Sequence, residues 1–249
     1  MLFRSGTLLR SAIPIRTYAD WNESKPGFFE ADLVALCGES VAGAYINILD
    51  LTDVLTGWVC LEAMMGKGQF GVHGGIDVIR RRLPFSLLGI DSDNGAEFIN
   101  DILNRYCQQH QITFTRIRPY RKNDNCFVEQ KNFSIVRRFL GYQRRETIEE
   151  LALIREILSL IEVYVNFFQP SLKLVSKTRV DNKTRKTYDT AKTPFQRLLG
   201  SGILNSSTKQ KLFDFYHFQN PMALRRQISK LNQKLDQFHC YNLVESTNT

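Results

Sequence analysis

The sequence lacks the cysteine and histidine patterns of a zinc site or a disulfide framework. Its five cysteines are widely spaced and include no CxxC pair, and its four histidines are scattered. Zinc-binding modules and disulfide-rich domains depend on closely spaced ligands or on paired cysteines. We therefore expect reduced thiols, some of them buried, in a cytoplasmic protein.

Long hydrophobic runs are also missing. No stretch approaches the roughly 18 consecutive apolar residues of a membrane-spanning helix, so we expect no membrane partner. A hydrophobic content of 43% and a charged content of 23% are ordinary for a soluble globular protein. A chain of 249 residues is long enough for one good core and a smaller appendage.

Acidic residues are scarce in two regions, which gives the net charge of +8 an uneven distribution. Residues 116–145 contain nine Lys and Arg against two Asp and Glu, and residues 171–249 contain fourteen against five. This arrangement suits a polyanionic partner, although charge alone is equally compatible with a solvated basic surface. Residues 1–19 are basic and acid-free, a faint similarity to a mitochondrial transit segment, but their irregular apolar positions favour a linker.

The alternation of apolar residues predicts a mixed α/β domain. Strands are expected at 28–36, 44–51, 58–64, 87–91 and 112–116, and helices at about 70–82, 96–109, 126–140 and 148–168. Three antiparallel strands followed by alternating helix and strand predict a mixed five-stranded sheet with helices on both faces.

The C-terminal third predicts a linker and short helices. Residues 173–192 hold seven basic and two acidic residues with few apolar ones, which indicates a basic linker. Apolar residues recur at helical spacing from Leu224 to Phe238, which predicts a helix that packs on its neighbours, with self-association or DNA contact as alternatives. The expected organisation is a linker or remnant of a missing N-terminal DNA-binding region at 1–24, a core at 25–170, a basic linker at 171–192 and a helical region at 193–249.

Three carboxylates lie at different structural boundaries. Asp32 falls in the middle of the first strand, Asp93 at the end of the fourth, and Glu129 in the first turns of a helix, with 35 residues between the last two. Clustered carboxylates repel one another unless positive charge lies between them, and a divalent metal with oxygen ligands usually provides it. Next to basic sequence, such a cluster indicates phosphoryl transfer on nucleic acid.

The segments LTDVLTGW, DSDNGAEF and RPYRKNDNCFVEQKN carry a family resemblance. Over roughly residues 25–145, the chain resembles the catalytic core of retroviral integrases and, more closely, of related bacterial insertion-sequence transposases. The shared pattern is an aspartate in the first strand, an aspartate in S-D-N-G and a glutamate after 35 intervening residues. The rest of the chain, through TPFQRLL and NPMALRRQI, is similar to the C-terminal part of such transposases. The resemblance implies a ribonuclease-H-like fold with a small helical C-terminal region.

The resemblance also implies a two-metal Asp-Asp-Glu (DDE) mechanism. Asp32, Asp93 and Glu129 would be both the catalytic and the metal-binding residues, holding two Mg²⁺ ions for which Mn²⁺ can substitute. The activity implied is that of a strand transferase, which nicks DNA and joins the 3′-hydroxyl to a target. The implied partners are the element ends and target DNA, bound by a homo-oligomer associated with the nucleoid.

Four neighbours of the aspartates have alternative roles. Asp91 shares the strand face of Asp93, which allows an auxiliary metal ligand, although a solvent-facing acid is favoured. We expect Glu97 in the first turn of a helix, where it complements the helix dipole. Asn94 and Gly95 are expected to shape a turn, because both residues tolerate positive φ.

The basic residues around Glu129 are predicted to contact phosphates. Viral relatives carry lysines four and seven residues after the glutamate, whereas this chain has Phe133 and Val136, so the preceding loop is expected to take over part of the DNA contact. Asn132 shares the helix face of Glu129 and is expected to order it or to touch DNA. The predicted DNA-binding residues are Arg116, Arg118, Arg121, Lys122, Lys131, Asn132 and Arg137.

Three functions are to be weighed against these sequence features. The first is a metal-dependent DNA strand transferase, favoured by the intact triad. The second is a truncated or co-opted remnant that binds DNA without catalysis, favoured because some 25 residues before the core are too few for a helix-turn-helix domain. A nuclease acting on RNA–DNA hybrids is the third, but such enzymes usually use four carboxylates, and the DNG and EQKN motifs argue against it.

Overall fold

The protein is built on one mixed five-stranded sheet. The computed structural model describes residues 6–17, 20–120, 122–180 and 183–246, without the side chains of 6–8, 122–123, 180, 183 and 239–246. The strands are β1 Phe28–Ala35, β2 Ile46–Asp53, β3 Val59–Met65, β4 Gly89–Ser92 and β5 Thr113–Arg116. Their order is β3-β2-β1-β4-β5; β1, β2 and β3 are antiparallel, while β4 and β5 run parallel to β1. This confirms the predicted sheet and its five strands.

Helices cover both faces of the sheet, as predicted. The helices of the central part are α2 Gln69–Arg82, α3 Asp101–Gln109 and α6 Ile148–Phe168. Alternate residues of β2 enter two cores: Leu49 and Leu51 pack with α2 and α3, whereas Ile46 and Ile48 pack with α6. This division follows from the two-residue period of a strand. The sheet that carries Asp32 is therefore packed by helices on both faces.

The helix that carries Glu129 changes its winding along its length. It consists of α4 Cys126–Lys131, a π-helical segment Asn132–Arg137 and α5 Arg138–Leu140. The predicted extent, 126–140, is confirmed, but the wider segment was not expected. Short π-helical insertions are rare overall. Where they occur, they are often at functional sites, because they redirect side chains relative to a regular helix.

One predicted helix begins later than expected. The prediction was 96–109, whereas α3 begins at Asp101, because the Asn100 side chain caps it by accepting from the Leu103 amide at 2.9 Å. Residues 96–98 form a turn. The role predicted for Glu97 in the first turn of that helix is therefore wrong.

Strand β3 is an edge strand whose outer backbone groups are bonded by side chains. Asn166 of α6 accepts from the Val59 amide at 2.9 Å and donates to the Val59 carbonyl at 2.8 Å. Glu162 accepts from the Leu61 amide, and Arg155 donates to the Ala63 carbonyl at 3.0 Å. Polar residues of the helix thus replace a sixth strand along this edge.

The N-terminal segment, predicted as a linker, packs on the opposite edge of the sheet. Helix α1 spans Gly6–Ala12, and Leu9 and Ile13 are buried in the core. Ile15 forms a parallel bridge with Arg116 of β5, and the Arg16 amide donates to the Arg116 carbonyl at 2.9 Å. Residues 9–16 are therefore part of the folded core.

The segment predicted as a basic linker forms a β-hairpin. Strand β6 spans Leu174–Val180 and pairs in antiparallel fashion with β7, Lys183–Tyr188. The prediction failed because the strands bury little apolar surface, so the sequence carries no hydrophobic alternation that could reveal them.

Three helices close the described chain: α7 Pro194–Gly200, α8 Ser206–Phe218 and α9 Pro221–Ser246. Leu224, Ile228 and Leu235 of α9 are buried, and Ile228 and Leu235 share the core of α6, which confirms the predicted packing stripe. The buried Arg145 fixes α9 further by donating to the Leu235 carbonyl at 2.8 Å and to Asp236 at 2.8 Å. None of the described helices combines the length and the apolar character needed to cross a membrane. Four cysteines are free thiols, and Cys240 lies outside the described side chains.

Candidate active site

Asp32, Asp93 and Glu129 line one cleft of about 440 Å³. Ala31 and Ser92 are partners in the parallel pairing of β1 with β4, so the next residues, Asp32 and Asp93, lie side by side. Helix α4 brings Glu129 across the sheet, and the Val128 amide ties it to β1 by donating to Glu30 at 2.9 Å. Three distant segments of the chain therefore place a carboxylate in the same cleft.

Asp32 is the most constrained of the three carboxylates. Its Oδ1 accepts from the Leu33 amide at 2.8 Å, and its Oδ2 accepts from Nδ2 of Asn132 at 2.7 Å. Burial, helped by the charges of Asp93 and Glu129 and opposed by these two hydrogen bonds, raises the pKa of Asp32 to about 6. Asn132 was expected to order Glu129 or to touch DNA; it orders the aspartate of the neighbouring strand.

Asp93 begins a tight turn after β4. Its Oδ1 accepts from the Gly95 amide at 2.9 Å, which fixes the direction of the carboxylate. Asn94 donates from Nδ2 to the Ile117 carbonyl at 2.9 Å and accepts from Arg116 at 3.1 Å. In the described chain, neither Asn94 nor Gly95 is among the residues with positive φ, so that part of the prediction is wrong. Asn94 contributes side-chain hydrogen bonds that join β4 to the end of β5.

A second pair of acids lies behind the first on the same face of the sheet. Glu30 pairs with Asp91 across β1 and β4, and both are fully buried. Burial raises the pKa of Glu30 to about 8 and that of Asp91 to about 7. Thr115 donates to Asp91, while Oε1 of Glu30 and Oδ2 of Asp91 have no hydrogen-bond partner. The favoured prediction, a solvent-facing Asp91, is wrong, and Glu30 was missed although it lies two residues before Asp32.

The residues of the cleft match a hard divalent cation in donor type. All three carboxylates supply oxygen ligands, which Mg²⁺ and Mn²⁺ prefer. The mutual repulsion that raises the pKa of Asp32 is relieved when a cation lies between the charges. Within the described residues, however, no three acidic, histidine or cysteine side chains already converge into a metal-binding group. The donors are thus gathered in one cleft, and final coordination requires side-chain adjustment.

Two of the predicted DNA contacts are occupied inside the protein. Arg116 is 8% exposed and donates to the carbonyls of Arg10 and Ile13 at 3.0 and 3.2 Å, so it holds the N-terminal segment. Arg137 donates to the carbonyls of Ala35 and Gly141, joining its helix to the end of β1. The buried Arg116 is therefore not available to phosphates, whereas phosphate contact by the half-buried Arg137 stays a prediction.

The remaining basic candidates differ in exposure. Lys131 is half-buried, and burial lowers its pKa, while the buried Asp50 of β2 acts in the opposite direction. Arg118 is exposed by 48% although it forms a two-pronged ion pair with Asp124 at 2.7 and 2.8 Å. Arg118 therefore keeps an exposed face, whereas Lys131 lies against the sheet. Arg121 and the side chain of Lys122 lie outside the described residues.

Two further residues that line the cleft were not predicted from the sequence. Arg10 of α1 is exposed and donates to the Asn94 carbonyl at 3.1 Å, which places a cation at the rim of an acidic cleft. Tyr120 is fully exposed and has a φ of 61°, a conformation that is uncommon for residues other than glycine. The only sequence signal for Arg10 was its place in a basic, acid-free N-terminus.

One known protein is similar to this chain in sequence over most of its length. No protein-family model matches the chain. The "Uncharacterized protein y4rM" of Sinorhizobium fredii is 38% identical over 189 residues, which is 76% of this chain and 54% of that protein. The chain thus spans about half the length of the curated relative that it matches.

Solved structures of retroviral integrases resemble the fold. The simian T-cell lymphotropic virus intasome, in complex with the PP2A regulatory subunit B56 gamma, matches 74% of this chain and 56% of its own with a TM-score of 0.50 and 14% identity. The BIV integrase catalytic core matches 70% and 95% of the two chains with a TM-score of 0.47 and 19% identity. The HTLV-2 integrase catalytic core with magnesium matches 59% and 91% with a TM-score of 0.45 and 14% identity.

The strand order and the likeness to the intasome establish the fold class. The sheet β3-β2-β1-β4-β5 with helices on both faces is the ribonuclease-H-like architecture of integrase catalytic cores. This confirms the fold expected from the sequence. A fold of this kind hosts more than one chemistry, so the function has to be argued from the cleft.

Proposed function

We propose that the chain is a metal-dependent polynucleotidyl transferase that nicks DNA and joins the 3′-hydroxyl to a target, as in DDE transposases. The observation that carries the proposal is the meeting of Asp32, Asp93 and Glu129 in one cleft. Each residue comes from a different segment, and a fold of integrase type arranges the three around one sheet.

The three carboxylates are the proposed ligands of Mg²⁺ or Mn²⁺, with two ions bound. Such ions activate an oxygen nucleophile and stabilise the leaving oxygen of an in-line displacement at phosphorus. Asn132 holds Asp32 in one orientation through its 2.7 Å hydrogen bond. Glu30 and Asp91, whose pKa values are raised to about 8 and about 7, carry reduced negative charge behind the ligands near neutral pH.

The substrate side of the proposal is a DNA strand held at the rim of the cleft. Arg10 supplies positive charge there, and a phosphate that approaches the carboxylates would otherwise be repelled. We propose assembly as a homo-oligomer on DNA.

The test is metal-dependent strand cleavage by the purified chain. A supercoiled plasmid and labelled duplexes from the DNA that flanks the gene are incubated with Mg²⁺ or Mn²⁺. We expect nicked or joined products with the unaltered chain and none with Asp93→Asn. Asp214→Asn, which alters an exposed acid on α8, is the matched control and should retain activity.

Metal binding is measured separately from activity. Because a ligand that binds only the folded state raises the melting temperature, Mn²⁺ should stabilise the unaltered chain and Asp214→Asn more than Asp93→Asn. Products of equal yield from Asp93→Asn and the unaltered chain would contradict the proposal. DNA binding without metal-dependent cleavage, even when the chain is fused to an upstream DNA-binding domain, would instead support a non-catalytic remnant.

A further inference from the structure

The β6–β7 hairpin is a basic ribbon with no buried face. Its strands, LVSKTRV and KTRKTY, contain five Lys and Arg and no Asp or Glu. Residues 175–179 and 184–188 are all exposed, so neither face of the ribbon packs on the body of the protein. A two-stranded hairpin without a packed face is at best marginally stable by itself, so burial of apolar surface does not explain its presence.

The pairing of the two strands brings like charges together. Lys177 lies directly opposite Lys186, and Arg185 is opposite Thr178. Side chains at directly opposite positions are neighbours on the same face, and like charges there destabilise the pairing. A polyanion laid along the ribbon would relieve this repulsion, as counter-charge does for any cluster of one sign.

The base of the hairpin is fixed firmly to the protein. Asp189 accepts from the Lys173 amide at 2.7 Å and forms an ion pair with Arg197, which also donates to the Ser171 carbonyl at 2.7 Å. Nζ of Lys173 donates to the carbonyls of Val54 and Leu55 in the turn between β2 and β3. The exposed ribbon therefore projects from a base that is bonded to the five-stranded sheet.

The base of the hairpin also borders the helix that carries Glu129. Leu174 and Val175 at the start of β6 line a cavity of about 310 Å³ together with Phe127 of α4, two residues before Glu129. Arg197, which is bonded to the base of the hairpin, is close enough to Lys131 of α4 for its charge to lower the pKa of that lysine. Helix α4 thus reaches from the carboxylate cleft to the base of the hairpin.

We propose that the β6–β7 hairpin is a DNA-binding arm that grips the backbone of duplex DNA beside the catalytic cleft. A two-stranded ribbon has the width that the major groove of DNA accepts. Lysine, arginine and the hydroxyls of Ser176, Thr178, Thr184 and Thr187 are the usual phosphate-contacting groups. The inference rests on the proposed function only for the choice of duplex DNA as the partner.

The test compares two variants of equal charge change in the full chain. The hairpin variant carries Lys177→Gln, Arg179→Gln, Arg185→Gln and Lys186→Gln. The helix variant, which is the matched control, carries Lys211→Gln, Arg226→Gln, Lys230→Gln and Lys234→Gln, all at exposed positions of α8 and α9. Binding of a fluorescent 30-base-pair duplex is followed by anisotropy in EDTA over a series of salt concentrations.

We expect the hairpin variant to bind the duplex at least about tenfold more weakly. The slope of log binding constant against log salt concentration should become less steep by roughly three units, because phosphate contacts are lost. The helix variant should retain most of its affinity. Unchanged binding by the hairpin variant, or an equal loss in both variants, would overturn the inference, since the second result indicates diffuse attraction by net charge. A loss seen with single-stranded RNA of equal length but not with the duplex would also overturn it.

A smaller variant separates binding from folding. Lys177→Gln with Lys186→Gln removes the repulsion across the ribbon, so thermal stability should stay the same or rise while duplex affinity falls. Lower stability with normal affinity would show that the pair serves the fold and would overturn the inference. Because no cleavage is measured, a chain that binds through the hairpin but never cuts DNA would contradict the proposed function alone.

Discussion

Asn132 donates from Nδ2 to Oδ2 of Asp32 at 2.7 Å, and this bond joins the helix of Glu129 to the strand of Asp32. Asn132 is the first residue of the π-helical segment, where the helix widens. Its Oδ1 is buried without a hydrogen-bond partner, so the side chain is held in place mainly by what it donates. The orientation of one proposed metal ligand thus depends on a residue of another element.

Replacing Asn132 should weaken metal binding more than folding. In Asn132→Ala, Asp32 loses a hydrogen bond that lowers its pKa, so the pKa rises above about 6 and ionisation needs a higher pH. We expect roughly tenfold weaker Mn²⁺ binding at pH 7, in the range found when residues that orient metal ligands are removed. The measurement is the Mn²⁺ dependence of the melting temperature between pH 6 and 8.

The control for that variant is Asn232→Ala, which removes a 2.9 Å hydrogen bond to the Phe139 carbonyl at the other end of the helical stretch that carries Asn132. It should leave Mn²⁺ binding unchanged at every pH. Equal effects of the two substitutions would show that Asn132 has no specific influence on Asp32.

The metal-free protein should lose stability as the pH rises from about 4 to about 8. Burial raises the pKa of Asp32 to about 6, of Asp91 to about 7 and of Glu30 and Asp50 to about 8. Each acid therefore binds its proton more tightly in the folded state, so the folded state holds more protons than the unfolded state over this interval. Stability falls with pH under that condition.

Melting temperatures in EDTA should drop by at least about 5 °C between pH 5 and pH 8. Glu30→Gln keeps an acceptor for the Val128 amide and removes the carboxyl group, so it should flatten the profile. A melting temperature that climbs steadily to pH 8 in both proteins would refute this reading of the buried acids.

Arg116 and Arg118 should respond differently to truncation. Arg116→Ala leaves the carbonyls of Arg10 and Ile13 without their donor, and we expect a loss of about 2–3 kcal/mol in the free energy of unfolding. Arg118→Ala is combined with Asp124→Asn, because the buried Asp124 would otherwise keep its charge without this two-pronged partner; the double variant should change stability little, while lowering affinity for DNA. Urea denaturation, with limited proteolysis of the N-terminal segment, checks the difference; a similar stability loss in both would refute it.

The parts of the fold that were predictable are those with a hydrophobic period. The five strands and the long helix 148–168 carry apolar residues at the spacing of buried faces, and all of them are found within a few residues of the prediction. The start of α3 was misplaced because capping by Asn100 decides it, and a cap is one polar residue among many candidates. The hairpin 174–188 was missed because it buries neither face.

The candidate site divides in the same way. Asp32, Asp93 and Glu129 could be predicted because order and spacing survive in a linear sequence. The contacts of a long basic side chain cannot be predicted from order and spacing. Arg116 and Arg137 were expected to contact phosphates, and the structure shows both bonded to backbone carbonyls. The two-metal assignment and the domain boundaries stay predictions.

The hydrogen bonds along β3 have a consequence for how copies of the chain can meet. Asn166, Glu162 and Arg155 already occupy backbone groups on the outer side of that strand, and the segment around Ile15 covers β5. Exposed strand edges are the places where sheets of separate molecules fuse or aggregate. With both margins of the five-stranded sheet closed, fusion of that sheet with the sheet of another copy is disfavoured.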